Sequence, residues 1–252
     1  MIPLVYKFLS MKSIILLIAF SLGTTSFSCD SASKAHTGFA VIELFTSEGC
    51  SSCPPADNVV AKLLKEHSSN VYVLGYHVDY WDALGWKDIF SNAAYTQLQR
   101  QYAKAFKLSS VYTPQIVVNG TEQFVGSDEG KLNNAVAKNL QQPSNIKLNI
   151  DAKAGDGNNI TVQYSTDAAA AIIHIALIQL EAENKIQRGE NSGATLHHVN
   201  IVRDIKTFPP PLKGTAVLKL PVNLKADECS VIAFTQNIND NKITAAIETG
   251  IK

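Results

Sequence analysis

The sequence predicts an α/β domain followed by a small antiparallel β-sandwich-like domain, and three observations carry that prediction. Between Phe39 and Gln142, apolar runs with strand character alternate with stripes of helical period, in the order strand, helix, strand, helix, hairpin, helix. From Ile146 onward the helical stripes stop, and six or more strand-like runs follow between turns rich in Gly, Asn and Asp. At 252 residues and 46% hydrophobic content, the chain is long enough to bury two cores.

The expected layout is an export signal over residues 1–28, a tether over 29–38, the α/β domain over 39–143 and the all-β domain over 144–252. Lys12 precedes the apolar run 14–22, which is short for a bilayer span and ends among Ser and Thr; Ser26 and Ser28 then flank a cleavage-like position. Met11-Lys12 has the form of a signal's first residues, so the start lies at Met1 or at Met11. Cys29 sits where an exported lipoprotein carries its acylated cysteine, although Ser26 replaces the usual aliphatic residue. Lipidation as a membrane tether and ordinary cleavage both stay open. Either route leads to the periplasm or to a lipid-anchored position in a bacterial envelope, an oxidising compartment. Lys and Arg total 22, as do Asp and Glu, so the net charge is zero and no long-range field would gather nucleic acid.

The first strand, 39–45, is apolar except for Glu43, as suits a strand covered on both sheet faces. Residues 57–67 carry Val59, Val60, Leu63 and Leu64 at helical spacing, and Pro54 suits the opening turn of that helix. The run 71–78 is a second strand. Residues 91–106 form an amphipathic helix with Tyr95, Leu98, Tyr102 and Phe106 on one side. A rigid Thr113-Pro114 turn leads into the strand 115–119, Asn119-Gly120 signals a hairpin to 122–125, and a helix from about Ser127 closes the unit near Gln142. The later strands are expected at 147–152, 160–165, 172–180, 196–208, 216–220, 230–237 and 244–248.

The chemistry is concentrated in Val41–Asp57, where an apolar strand runs into a polar loop, presents Cys50-Ser51-Ser52-Cys53 and turns into a helix. N–H groups of a first helical turn favour a thiolate, so Cys50 is the candidate nucleophile and Cys53 the resolving thiol. A C-x-x-C pair also serves as an inert staple or as half a zinc site. Zinc would need a second ligand pair, no further C-x-x-C or C-x-x-H occurs, and His197 and His198 as strand neighbours would face opposite sides. No metal or cofactor is therefore expected. Glu43 is a candidate proton shuttle for Cys53 or, if strand parity turns it away, a structural carboxylate. His77, Asp79, Tyr80, Trp81 and Trp86 follow the second strand and either line a substrate cleft or cap a core. Gly189–Gly193 reaches over the dithiol, binds a partner or forms a tight turn, and Cys229 reads as a buried small hydrophobe.

The order of elements, with the dithiol before the first helix and Thr113-Pro114 before the hairpin, resembles the thioredoxin fold. That resemblance implies a cis Pro114 facing the dithiol, a Thr113 backbone that pairs with an extended substrate, and a proline that keeps metal off the sulfurs. Four motifs extend the match: ELFTSEGCSSCPPAD, the HVDYWD–LGWKD run of His77–Asp88, YTPQIVVNG, and GENSGATLHHVNIVR. Together they resemble the exported bacterial family called domain of unknown function 1223, which implies a thioredoxin-like fold but no substrate.

These observations lead to the expectation of an exported thiol–disulfide oxidoreductase acting on protein or small thiols, or with a redox partner protein. The rival is a binding module whose cysteines form a structural disulfide, and a metal carrier is a third reading. The first reading requires an accessible Cys50 at the positive end of a helix.

Overall fold

The computed structural model describes residues 38–67 and 69–252, so the expected signal, Met11 and Cys29 lie outside the described residues. Strand β1 (Ala40–Thr46) is buried along its length because both faces are covered. Ala40, Ile42 and Leu44 pack against Ala56, Val60 and Leu63 of α1 (Pro54–Glu66) and Leu132, Ala135 and Val136 of α3 (Glu129–Leu140). The alternate residues Val41 and Phe45 pack against Tyr95 and Tyr102 of α2 (Ala93–Ala105). Strand β2 (Val71–His77) runs parallel to β1, whereas β3 (Gln115–Val118) is antiparallel to it and continues into β4 (Glu122–Val125). The β3–β4 turn places Asn119 and Gly120 at φ 46° and 70°, as an Asn-Gly hairpin signal anticipates.

The second half of the chain overturns the predicted fold class. Strands β7 (Ala171–Lys185), β8 (Thr195–Phe208), β10 (Cys229–Asn237) and β11 (Ile243–Gly250) extend the same sheet, in the order β11-β10-β7-β8-β2-β1-β3-β4. Only β5 (Leu148–Ala154), β6 (Asn159–Thr166) and β9 (Lys213–Lys219) form a separate three-stranded sheet, whose core is shared with β7, β10 and β11. The chain is thus mostly β, built on a mixed eight-stranded sheet, and is not a small thioredoxin-type α/β domain followed by a sandwich. The physical reason lies in α2. Its apolar face meets Leu74 and Tyr76 of β2 and, in the same cluster, Ala176, Ile178, Val202, Ile232 and Phe234, so one helix covers both halves of the sheet. Periodicity predicts that a strand exists; it does not say which edge the strand joins.

The two halves meet where Gly75 of β2 lies beside Ile201 of β8 in a single parallel pairing. A Cβ at Gly75 would stand 3.3 Å from the Asn200 carbonyl oxygen and 3.4 Å from that of Val199. Asn200 adopts φ 50° and its side-chain amide donates to the Val73 carbonyl at 3.2 Å, closing the junction with a side chain where ladder bonds are sparse. No helix among the described residues is long and apolar enough to cross a membrane.

Candidate functional site

β1 ends at Thr46, and residues 47–52 form the loop that delivers the dithiol to α1. The loop is a string of turns: Cys50 N–H donates to Ser47 O at 3.2 Å, and Cys53 N–H to Cys50 O at 3.2 Å. Cys53 occupies the N-cap position and Pro54 follows it, so the helix begins where the proline's missing N–H costs nothing. The Cys50 sulfur lies 3.2 Å from Ser52 Oγ and 3.8 Å from the Thr113 carbonyl. Cys50 and Cys53 are free thiols.

The Thr113-Pro114 bond is cis, and the structure brings this segment to the dithiol as the resemblance implied. Trp81 Nε1 donates to Thr113 Oγ1 at 2.8 Å, which places Trp81 on the same wall. Tyr80 sits close enough for burial and the two cysteines to raise its phenol to about 12, against the lowering effect of Thr113 and Gln99. His77 and Glu43 lie elsewhere. His77 is buried beneath the loop, with Nδ1 2.7 Å from Asp88 Oδ2. Glu43 shares the α2 face of β1 with Val41 and Phe45 and accepts from Tyr102 Oη at 2.6 Å. Burial lifts its carboxyl to about 7, against the lowering effect of that hydrogen bond. Strand alternation explains the placement, because α1 and its thiols belong with the opposite face.

The two thiols are tuned apart. Cys50 is lowered to about 6, chiefly because the Cys53 thiol donates to it, with Ser52 and Thr113 adding to the effect against burial. Cys53 is pushed far up by burial and by its neighbour's charge. The two thiols are thereby shifted in opposite directions. Accessibility differs from the expectation: Cys50 is 0% exposed, as is Cys53, while Ser51 and Ser52 face solvent.

The dithiol loop is held by a segment from the tip between β7 and β8. Glu190 accepts a bond from Ser51 N–H at 3.0 Å, and the Asn191 amide donates to the carbonyls of Glu48 and Cys50 at 2.8 and 3.0 Å. Gly189 and Gly193 bracket this strap at φ 79° and 85°, so the tight-turn reading and the reaching-over reading of this stretch describe the same segment. Beneath the loop lies a buried polar group that sequence reasoning did not assemble. Glu48 accepts from Trp86 Nε1 at 2.8 Å and from Asn184, and its backbone N–H donates to Asp88. Burial opposes ionisation of Asp88, but His77 and the N–H groups of Glu48 and Phe90 outweigh it and hold the carboxyl low. His198 of β8 stands between Glu48 and Asp57. The histidine pair of β8 was visible as a motif; its partners, far away in sequence, were not.

Fold and site together define a class: a mixed-sheet protein with a strand-to-helix C-x-x-C pair facing a cis-proline segment. The family described as protein of unknown function (DUF1223) matches residues 41–236, and the chain belongs to it. Among solved structures, it is similar to protein AGR_C_4864 from Agrobacterium tumefaciens, at 27% identity and a TM-score of 0.62, covering 83% of this chain and 92% of that one. HBP35 of Porphyromonas gingivalis shares the fold at 16% identity and a TM-score of 0.59, over 85% of this chain and 76% of that one. No curated protein matches the chain.

Proposed function

We propose that this protein is an exported thiol–disulfide oxidoreductase in which Cys50 attacks and Cys53 resolves. The observation that carries this reading is geometric: two free thiols, with two residues between them, stand at the start of α1, and the Cys50 sulfur lies 3.8 Å from the Thr113 carbonyl of the cis Thr113-Pro114 segment. The shift of Cys50 down and Cys53 up agrees with it. The Cys50 thiolate attacks one sulfur of a substrate disulfide, forming a mixed disulfide and expelling the other sulfur as a thiolate. Cys53 gives its proton to that leaving group and attacks Cys50, releasing the second substrate thiolate. The substrate gains two electrons and the pair becomes a disulfide; the reverse sequence oxidises a dithiol. Thr113, Pro114, Tyr80 and Trp81 form the wall against which an extended substrate would lie. Since Cys50 exposes no surface, attack requires the dithiol loop to loosen, and the Glu190–Asn191 strap bonded to it is the part proposed to release it. Export rests on the signal-like residues 12–28, with Cys29 as the proposed lipid attachment, and exported protein thiols or a redox partner are the proposed clients.

The burial of both sulfurs favours a second reading, a binding module in which the pair is structural. A Cys53→Ser variant of the mature chain decides between them. Incubated with protein disulfides and oxidised glutathione, it should accumulate a mixed disulfide on Cys50, seen by mass spectrometry. No adduct with either substrate would leave the binding module.

A further inference from the structure

We propose that His198 is a positioning residue for the dithiol, a buried histidinium that ties the loop carrying Cys50 to the helical turn that follows Cys53. The inference deepens the thiol–disulfide reading and rests on it for its use. Glu48 stands two residues before Cys50, and Asp57 stands four residues after Cys53, in the first turn of α1. His198 reaches between them from β8, with Nε2 3.5 Å from Glu48 Oε1 and Nδ1 3.4 Å from Asp57 Oδ2. It is 2% exposed, and among the described residues neither ring nitrogen makes a hydrogen bond, the two carboxylates standing at ion-pair distance.

The charged and titratable groups around it come from four elements and the loop after β1; Lys65 of α1 and Glu181 and Glu183 of β7 line the cavity beside it and make no ion pair with its ring. Glu48 comes from the loop after β1 and Asp57 from α1. His77 of β2 packs edge-on at 4.8 Å between ring centroids and is itself paired with Asp88. Arg203 lies over the Phe90 ring, which in turn packs on His198 at 5.7 Å. Two buried carboxylates flank one imidazole, and a buried acid without a cation is costly, so the ring is held as the charged form. Burial works against that proton, but Asp57 and Glu48 hold it to about 9.

The consequence is mechanical. Resolution requires Cys53 to meet the sulfur of Cys50, and the frequency of that encounter depends on how firmly the strand-exit loop is held against the helix start. The clamp grips both from one side chain, supplied by the strand that the second half of the chain adds next to β2.

The test is the equilibrium of the purified mature chain with reduced and oxidised glutathione at pH 7, read by mass spectrometry as the ratio of intramolecular disulfide to dithiol. His198→Gln should move that ratio against the disulfide by roughly tenfold, or about 30 mV for a two-electron couple. In a Glu48→Gln, Asp57→Asn background, which has no charge to clamp, the same substitution should move it by less than about twofold. A shift below about twofold in the native background, a shift toward the disulfide, or an undiminished effect in the neutral background would overturn the proposal. Should His198→Gln fail to fold, the nitrogen NMR spectrum of the unaltered protein at pH 7 decides. Both ring nitrogens of His198 protonated is the expected result, and a neutral ring overturns the clamp. This equilibrium exists even for a purely structural cysteine pair. A failed capture of substrate on Cys50 would therefore sink the oxidoreductase reading without touching this one.

Discussion

Replacing Asn191 by alanine should turn Cys50 from a protected thiol into a reactive one. The Asn191 amide donates to two carbonyls of the dithiol loop, those of Glu48 and Cys50, and nothing else on the strap holds that loop by two bonds at once. A neutral hydrogen bond contributes a net ~0.5–1.5 kcal/mol, so losing both weakens closure by about 1–3 kcal/mol. At one factor of ten per ~1.36 kcal/mol, the open population rises roughly 5- to 150-fold. Because Cys50 exposes no surface when closed, its alkylation by iodoacetamide at pH 7 reports that population when closing is fast. The rate of carboxamidomethylation at Cys50, followed by mass spectrometry, should rise within that range. The free energy of urea unfolding should fall by up to the same about 1–3 kcal/mol, because the closed state is weakened against the unfolded one as well. Glu190→Gln should give a smaller rise, since its bond to Ser51 N–H is exposed to competing water. An Asn191→Ala rate within about twofold of the unaltered protein would show that the strap does not control access, and the route to the sulfur would have to be sought elsewhere.

Three further outcomes follow from the same geometry. Cys53→Ala removes the principal donor to Cys50, so the rise in thiolate absorbance at 240 nm should move up from about pH 6 toward the ordinary thiol range. Glu43 has a folded value of about 7, above its ordinary 4.5, so it holds its proton more tightly in the folded chain. Its stabilising contribution is complete below pH 4.5 and is lost as the pH rises through 7, by about 3 kcal/mol in all. Denaturant titrations should show that decline in the native protein and a flatter profile in Glu43→Gln. Gly75→Ala would press a methyl group against the carbonyls of Val199 and Asn200, and should cost about 1–3 kcal/mol in urea unfolding by overpacking the junction of β2 with β8.

Individual strands and helices were legible because each carries its own period. The α1 stripe Val59, Val60, Leu63, Leu64 and the β10 run after Cys229 both lie within elements of the expected type. The pairing of distant strands was not legible. Nothing local in Val199-Asn200-Ile201 announces a place beside Gly75, and the amphipathic face of α2 does not say how wide a sheet it covers. The site divided along the same line. Cys50, Cys53, Thr113 and Pro114 come together because short motifs carry them. The strap and the Glu48–His198–Asp57 group span separations of more than a hundred residues, and for them only the unexplained glycines and the histidine pair of β8 stood out. Glu43 was a matter of parity: one step along β1 exchanges the thiol-bearing helix for α2.

The lone pairing of Gly75 with Ile201 makes that line a natural place for scission. Of two polypeptides, one ending near Pro143 and one beginning just after it, the first would keep α2 but bare the part of that helix's apolar face now set against the second half, and the second would lose the cover over Ala176, Ile178, Val202, Ile232 and Phe234. Mixed together, they have a ready incentive to recombine. Because the second fragment would bring His198 to Glu48 and Asp57 and the Asn191 strap to the dithiol loop, complementation would be followed as the return of the lowered Cys50 thiol.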